Sequence, residues 1–291
     1  MSIRSPNKRK WLHVCVLGDA GTGKSALVTS FCTNRSPSSC HQPLFRKPAK
    51  TVAMDYAAKR IEFDVDDEDD GRTEKLSLEI CITDFSGNDC YKDARYAAYD
   101  DSGLDIDAFL VVVSRNRDPN ESLHLVQSKW FEEIAQYTSS KVQKTGHVLL
   151  PCVCLCFHDV DDDENKIQID DAFLERSRDA LDAFDRRLLT VSSMSFSKST
   201  AGTCENASSL IPLELASFVS CANAKTGLNV KSTFERLAKR VLERREREVK
   251  DETLFVTFLA TQPLKRRTQY VGRFLIVRVS RATESDCSDQ K

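Results

Sequence analysis

Residues 18–25 read GDAGTGKS, set between the apolar run WLHVCVL (11–17) and the helix-forming run ALVTSFC (26–32). The stretch satisfies G-x-x-x-x-G-K-[ST] in the setting the motif requires, a strand before it and a helix after it. Gly18, Gly21 and Gly23 let the backbone turn its N–H groups inward onto phosphate oxygens, so that Gly18, Asp19, Ala20, Gly21, Thr22 and Gly23 form a cradle. A helix starting near Lys24 adds the positive end of its dipole. Lys24 would neutralise the β- and γ-phosphates, and the Ser25 hydroxyl would ligate Mg²⁺. The loop alone does not separate ATP from GTP.

Outward from this loop, strand-like and helix-like runs alternate from about residue 11 to 250. AAKRIEFDV (57–65) and KLSLEICITDF (75–85) flank an acidic hairpin tip. AFLVVVS (108–114) and LLPCVCLCF (149–157) are continuous apolar runs, the mark of strands covered on both faces. PNESLHLVQSKWFEEIAQY (119–137), with Asn120 as its expected cap, and DDAFLERSRDALDAFDRRLL (170–189) have helical spacing. After a Ser/Thr-rich insertion come LASFVSC (215–221) and a long charged helix, NVKSTFERLAKRVLERREREV (229–249). Such alternation predicts a mainly parallel sheet with helices on both faces. TLFVTFLAT (253–261) and QYVGRFLIVRV (269–279), separated by PLKRR, read as a C-terminal β-hairpin-like extension.

Composition narrows the function classes. A net charge of -2 gives no overall electrostatic pull toward nucleic acid or membrane. No apolar run approaches the ~20 residues that span a bilayer, and the basic start, MSIRSPNKRKW, has no apolar core of a secretory signal behind it. Eleven cysteines without a CxxC pair point to thiols in a reducing compartment. Cys152, Cys154 and Cys156 share one face of a strand and read as buried thiols of a core rather than as metal ligands. The run 159–164 fails as a calcium loop, because Glu164 stands where the turn needs glycine.

Four segments in register resemble a small GTPase of the Ras superfamily, nearest to the Rab branch: the phosphate loop, TVAMDY (51–56), ITDFSGNDCY (82–91) and CANAKTGLNV (221–230). The resemblance implies a P-loop G domain, α/β with a six-stranded sheet, over residues 11–250, with an insertion at 192–212. A basic extension (1–10) and a C-terminal extension (251–291) would flank it. It also assigns roles. Thr51 would complete the Mg²⁺ shell when GTP is bound, Asp84 would hold an Mg²⁺-bound water, and the Gly87 N–H would sense the γ-phosphate. Losing those contacts on hydrolysis releases both switch loops. Ala224 would offer its N–H to guanine O6, with Lys225 bracing the loop.

The departures from the family pattern are as informative. The family expects N-K-x-D after the fifth strand, and this chain has FHDVDDD (157–163). One register puts His158 for Asn, Asp159 for Lys and Asp161 for the guanine-reading Asp. In another, Asp159 reads the base and Asp161 is loop. A carboxylate at either place can accept both guanine hydrogens, but Asp159 lacks the aliphatic stem that covers the base. Where relatives carry a glutamine that orients the attacking water, this chain has Asn88, one methylene shorter, so intrinsic hydrolysis is expected to be slow. The chain ends in CSDQK with no C-a-a-X box, so stable lipid anchoring is not expected.

The sequence therefore predicts a cytoplasmic GTP/GDP switch that uses Mg²⁺. Its switch regions would meet an effector, an exchange factor and an activating protein, and any membrane contact would be peripheral. A pseudo-GTPase that keeps the fold as a protein-interaction module is the alternative.

Overall fold

The computed structural model describes residues 10–33, 50–66, 73–100, 105–115, 118–145, 150–158, 169–197 and 217–261. In chain order these form β1 (Trp11–Leu17), α1 (Lys24–Thr33), β2 (Met54–Asp66), β3 (Thr73–Phe85), a 3₁₀ turn (Asp89–Tyr91) and α2 (Lys92–Asp100). There follow β4 (Ala108–Ser114), α3 (Pro119–Leu125), a π-helical segment (Val126–Trp130), α4 (Phe131–Thr145) and β5 (Cys152–His158). The last three are α5 (Asp171–Ser197), β6 (Phe218–Ala222) and α6 (Val230–Thr261).

The strands form one sheet in the order β2-β3-β1-β4-β5-β6. Only the β2–β3 pair is antiparallel; the remaining neighbours run parallel. β1, β4 and β5 are buried along nearly their whole length, as their unbroken apolar runs require of strands covered on both faces. Alternation along each strand then sends side chains into two separate cores. Leu12, Val14 and Val16, with Cys152, Cys154 and Cys156, pack against α1 and α6, where Phe31 and Phe234 stack at 4.0 Å. Cys15, Leu17, Val153, Leu155 and Phe157 face the other way, toward α4 and α5, where Phe131 and Phe184 stack at 4.2 Å. Cys152, Cys154 and Cys156 are buried in the first of these cores.

Three local expectations are corrected. The cap of the 119–137 helix is Asp118, not Asn120: its carboxylate accepts from the N–H groups of Asn120 and Glu121, both at 2.9 Å. Pro119 fills the first helical position, where its missing N–H costs nothing. Residues 253–261, expected as a strand, belong to α6, which runs without a break past residue 250 to Thr261; 269–279 lie outside the described residues. α5 continues beyond residue 189 to Ser197, into the start of the expected insertion, and 198–216 lie outside the described residues.

A sheet of this order opens a crevice at the carboxyl ends of its strands, on either side of β1. The loop after β1, the start of the loop after β3, the end of β5 and the turn after β6 all emerge at that edge.

Candidate functional site

The loop from Gly18 to Gly23 joins β1 to α1, and its three glycines all adopt positive φ. At Gly23 (φ 86) a side chain would also collide with a neighbour, since a Cβ would stand 2.5 Å from the His158 ring. Lys24, at the start of α1, folds back over the loop and donates to the carbonyls of Gly18 at 2.8 Å and Asp19 at 2.7 Å. Thr22 Oγ1 donates to the Asp19 carbonyl at 3.0 Å. Burial pushes the Lys24 ammonium down to about 8, against the opposing pull of Asp84 and Asp19. A polyanion in the cradle would restore what burial takes from that charge.

Beside Lys24, three oxygen-bearing side chains from separate parts of the chain converge. Ser25 Oγ donates to Asp84 Oδ2 at 2.5 Å and shares a 2.9 Å hydrogen bond with Thr51 Oγ1. The other carboxylate oxygen of Asp84 is buried with no hydrogen-bond partner among the described residues. Burial raises the Asp84 pKa, and hydrogen bonding to Ser25 and the Lys24 charge work against that rise. A buried carboxylate with an idle oxygen, flanked by two hydroxyls, suits a hard divalent cation that takes oxygen ligands, so the residues present fit Mg²⁺.

At the end of β3 the chain turns sharply over the phosphate loop. A Cβ on Gly87 would lie 2.3 Å from the Gly18 carbonyl oxygen and 2.4 Å from the Ala20 nitrogen, so only glycine permits this approach. Asn88 is exposed and its amide oxygen accepts from the Cys90 N–H at 3.1 Å, capping the 3₁₀ turn. The turn is held from beneath by Arg95, which is fully buried. Its guanidinium donates to the carbonyls of Ser86 at 3.0 Å and Asn88 at 3.3 Å, and forks onto Glu133 at 2.8 and 3.1 Å. Tyr99 adds a hydroxyl to the same Glu133 carboxylate at 2.8 Å. Lys129, from the π-helical segment, reaches Asp19 at 3.2 Å and Asp89 at 2.7 Å. Its hydrogen bond holds the exposed Asp89 carboxyl below the usual range. Sequence reasoning missed Arg95, Glu133 and Lys129. Each is an ordinary charged residue of a helix, and the ion pairs it makes join residues tens of positions apart.

On the base side, the Ala224 N–H donates to His158 Nε2 at 3.1 Å. That nitrogen must therefore be the acceptor, which puts the proton of the neutral ring on Nδ1. His158 is buried and touches both the phosphate loop, at Gly23, and the turn after β6. Asn223 shapes this turn by accepting from the N–H groups of Lys225 and Thr226, both at 2.9 Å. Lys225 is exposed. Asp159 and Asp161 lie outside the described residues. The structure thus brings Lys24, Ser25, Thr51, Asp84 and Gly87 together at one end, and His158 with Ala224 at the other.

The model of the Ras family matches residues 13–243. No curated protein matches the chain. Among the described residues no helix is long and apolar enough to cross a membrane.

Proposed function

The chain belongs to the Ras family, and from that premise we propose that it is a Rab-like, Mg²⁺-dependent GTP/GDP switch with slow intrinsic hydrolysis, acting in vesicle trafficking or signalling. Members of this family bind guanine nucleotide and exchange signals with regulators and effectors. The observation that carries the finer reading is the meeting of Lys24, Ser25, Thr51 and Asp84 beside a phosphate loop on which Gly87 already rests.

In this reading the loop amides of residues 18–23 and the Lys24 ammonium hold the β- and γ-phosphates. Ser25 and Thr51 would supply hydroxyls to Mg²⁺ and Asp84 would hold an Mg²⁺-bound water, and the ion would neutralise phosphate charge when bound. The Gly87 N–H reads the third phosphate. Ala224 and Lys225 frame the base, with Asp161, or Asp159 in the other register, accepting from guanine. The G domain of 11–250 would act in the cytoplasm, with the flanking segments or a partner making any peripheral membrane contact.

Slow turnover follows from the placement of Asn88. Its amide oxygen is engaged in capping the turn at Cys90, so the water-orienting position offers little to an attacking water until the turn is remodelled. An activating protein would do that remodelling. The same cap, with His158 on the Ala224 N–H, favours the second reading, a pseudo-GTPase that acts as a nucleotide-binding or nucleotide-free protein-interaction module.

The test is to purify the full chain, identify any nucleotide that accompanies it, and follow γ-phosphate release from GTP with Mg²⁺ and with a chelator. Bound guanine nucleotide with slow release, both lost in Lys24→Ala, is the expected result. Bound GTP that never turns over would select the pseudo-GTPase, and absence of any nucleotide affinity would overturn the switch.

A further inference from the structure

Between α3 and α4 the helix widens for one turn. The Phe131 N–H reaches back five residues to the Val126 carbonyl, which is the π-helical pattern. Such single turns add one residue to a helix and re-aim the side chains within it, and they gather at functional sites. Here the re-aimed residues are Lys129 and Trp130. Trp130 is 1% exposed and has two cations near its ring, the Lys129 ammonium at 4.6 Å from its centroid and the Arg95 guanidinium at 5.2 Å.

The Lys129 ammonium leaves its own helix and joins two acids from different loops. Asp19 is in the phosphate loop and Asp89 is in the first turn after Gly87. The Asp19 arm is the sheltered one, with side-chain exposures of 25% and 17% for the pair, whereas the Asp89 side chain is 73% exposed. Salt and water therefore screen the second arm far more than the first.

Asp19 poses a problem that the loop must solve. A carboxylate among the groups that cradle phosphates repels the polyanion they exist to hold. Its own backbone carbonyl is bound by Lys24, but that ammonium is needed for the phosphates. Lys129 provides a second cation for which phosphate contact is not required.

We propose that Lys129 is a positioning residue of the nucleotide site: it cancels the Asp19 charge so that the loop accepts phosphate, and through Asp89 it keeps the Gly87 turn seated on the loop. The inference rests on the nucleotide-switch reading above. One cation thereby links nucleotide affinity to the order of the turn that senses the third phosphate. A triphosphate carries more negative charge than a diphosphate, so it depends on Lys129 more than a diphosphate does.

The test compares equilibrium binding of fluorescent GDP and a non-hydrolysable fluorescent GTP analogue to the full chain. The proteins are the wild type, Lys129→Gln, Lys129→Arg, Asp19→Asn and the double variant Asp19→Asn/Lys129→Gln. Lys129→Gln is expected to weaken GDP roughly tenfold and the GTP analogue by more, and Lys129→Arg to recover most of the loss. In the Asp19→Asn background the same Lys129→Gln change should cost GDP less than about threefold, because the charge it cancels is gone. A residue that only packs the helix would show no such rescue. Unchanged affinity in Lys129→Gln, or a penalty that persists in full in the Asp19→Asn background, overturns the inference while leaving the switch reading intact. Failure of the wild type to bind either nucleotide overturns both.

Discussion

A methyl group added at Gly23 would stand 2.5 Å from the His158 ring, on a backbone with φ 86 that side chains avoid. Gly23→Ala is therefore expected to displace the phosphate loop and weaken GDP at least about a hundredfold, read by calorimetric titration, while circular dichroism stays native. His158 itself invites the opposite experiment. The Ala224 N–H that would read guanine O6 is engaged by the imidazole. His158→Asn shortens the side chain and is expected to raise the preference for GDP over ADP by roughly fivefold to tenfold in competition binding. The phosphate loop could be read from the sequence because its chemistry is local, with spacing, glycines and lysine in eight residues. The contact between His158 and Ala224 could not, since it spans 66 residues and depends on where β5 and β6 end.

Among elements, the 3₁₀ turn and α2 are fastened to α4 by the Arg95–Glu133 pair. Glu133 is 3% exposed beneath that cation, and Arg95→Ala, which takes the cation from the buried acid, is expected to cost about 3–5 kcal/mol in chemical denaturation. Arg95→Met/Glu133→Met removes both charges and should cost distinctly less. On the other flank, Asp185 of α5 accepts from Ser217 Oγ at 2.7 Å, and burial pushes its pKa from 3.8 to about 6 despite that bond. The folded state thus binds this proton more tightly than the unfolded chain does. The stability contribution is full below pH 3.8 and is lost as pH rises to about 6, after which it is flat. Asp185→Asn should remove that slope and stabilise the protein at pH 7 by on the order of 1–3 kcal/mol. Alternating apolar and helical runs made the six strands and the main helices readable. The strand reading of 253–261 failed for a physical reason. A run rich in β-branched and aromatic residues is ambiguous alone, but here it continues a helix already nucleated at Val230, where each further residue adds a hydrogen bond without a new nucleus. The Asp118 cap had a signal that was passed over, an acid directly before proline with Glu121 three residues on.

At the scale of the molecule, the sheet has two ends with different duties. The carboxyl end carries the site, and near the opposite end Asp107 ties the elements together. Its carboxylate accepts from the His13 N–H at 2.9 Å and pairs with Arg245 at 2.6 Å, while its carbonyl accepts from Cys152 N–H and from Arg244. Arg245 also reaches the Trp11 carbonyl at 3.2 Å. Truncation after residue 246 keeps these bonds, and it is expected to leave the thermal midpoint within about 3 °C of the full chain. Truncation after residue 243 strips both arginines from Asp107 and should lower it by roughly 5–10 °C in a thermal-shift assay with GDP present.

The thiols described in the core have a use beyond packing. Cys90 is exposed in the turn beside the phosphate loop, whereas Cys152, Cys154 and Cys156 are shut inside β5, and burial lifts the Cys152 thiol to about 12. A thiol-reactive dye would meet Cys90 within the native ensemble and the β5 trio only after the sheet opens. Among the described thiols, Cys90 and the β5 trio are two clocks, a fast one whose rate follows the pose of the turn after Gly87 and a slow one set by global unfolding. Mass spectrometry of timed labelling would read both from a single sample.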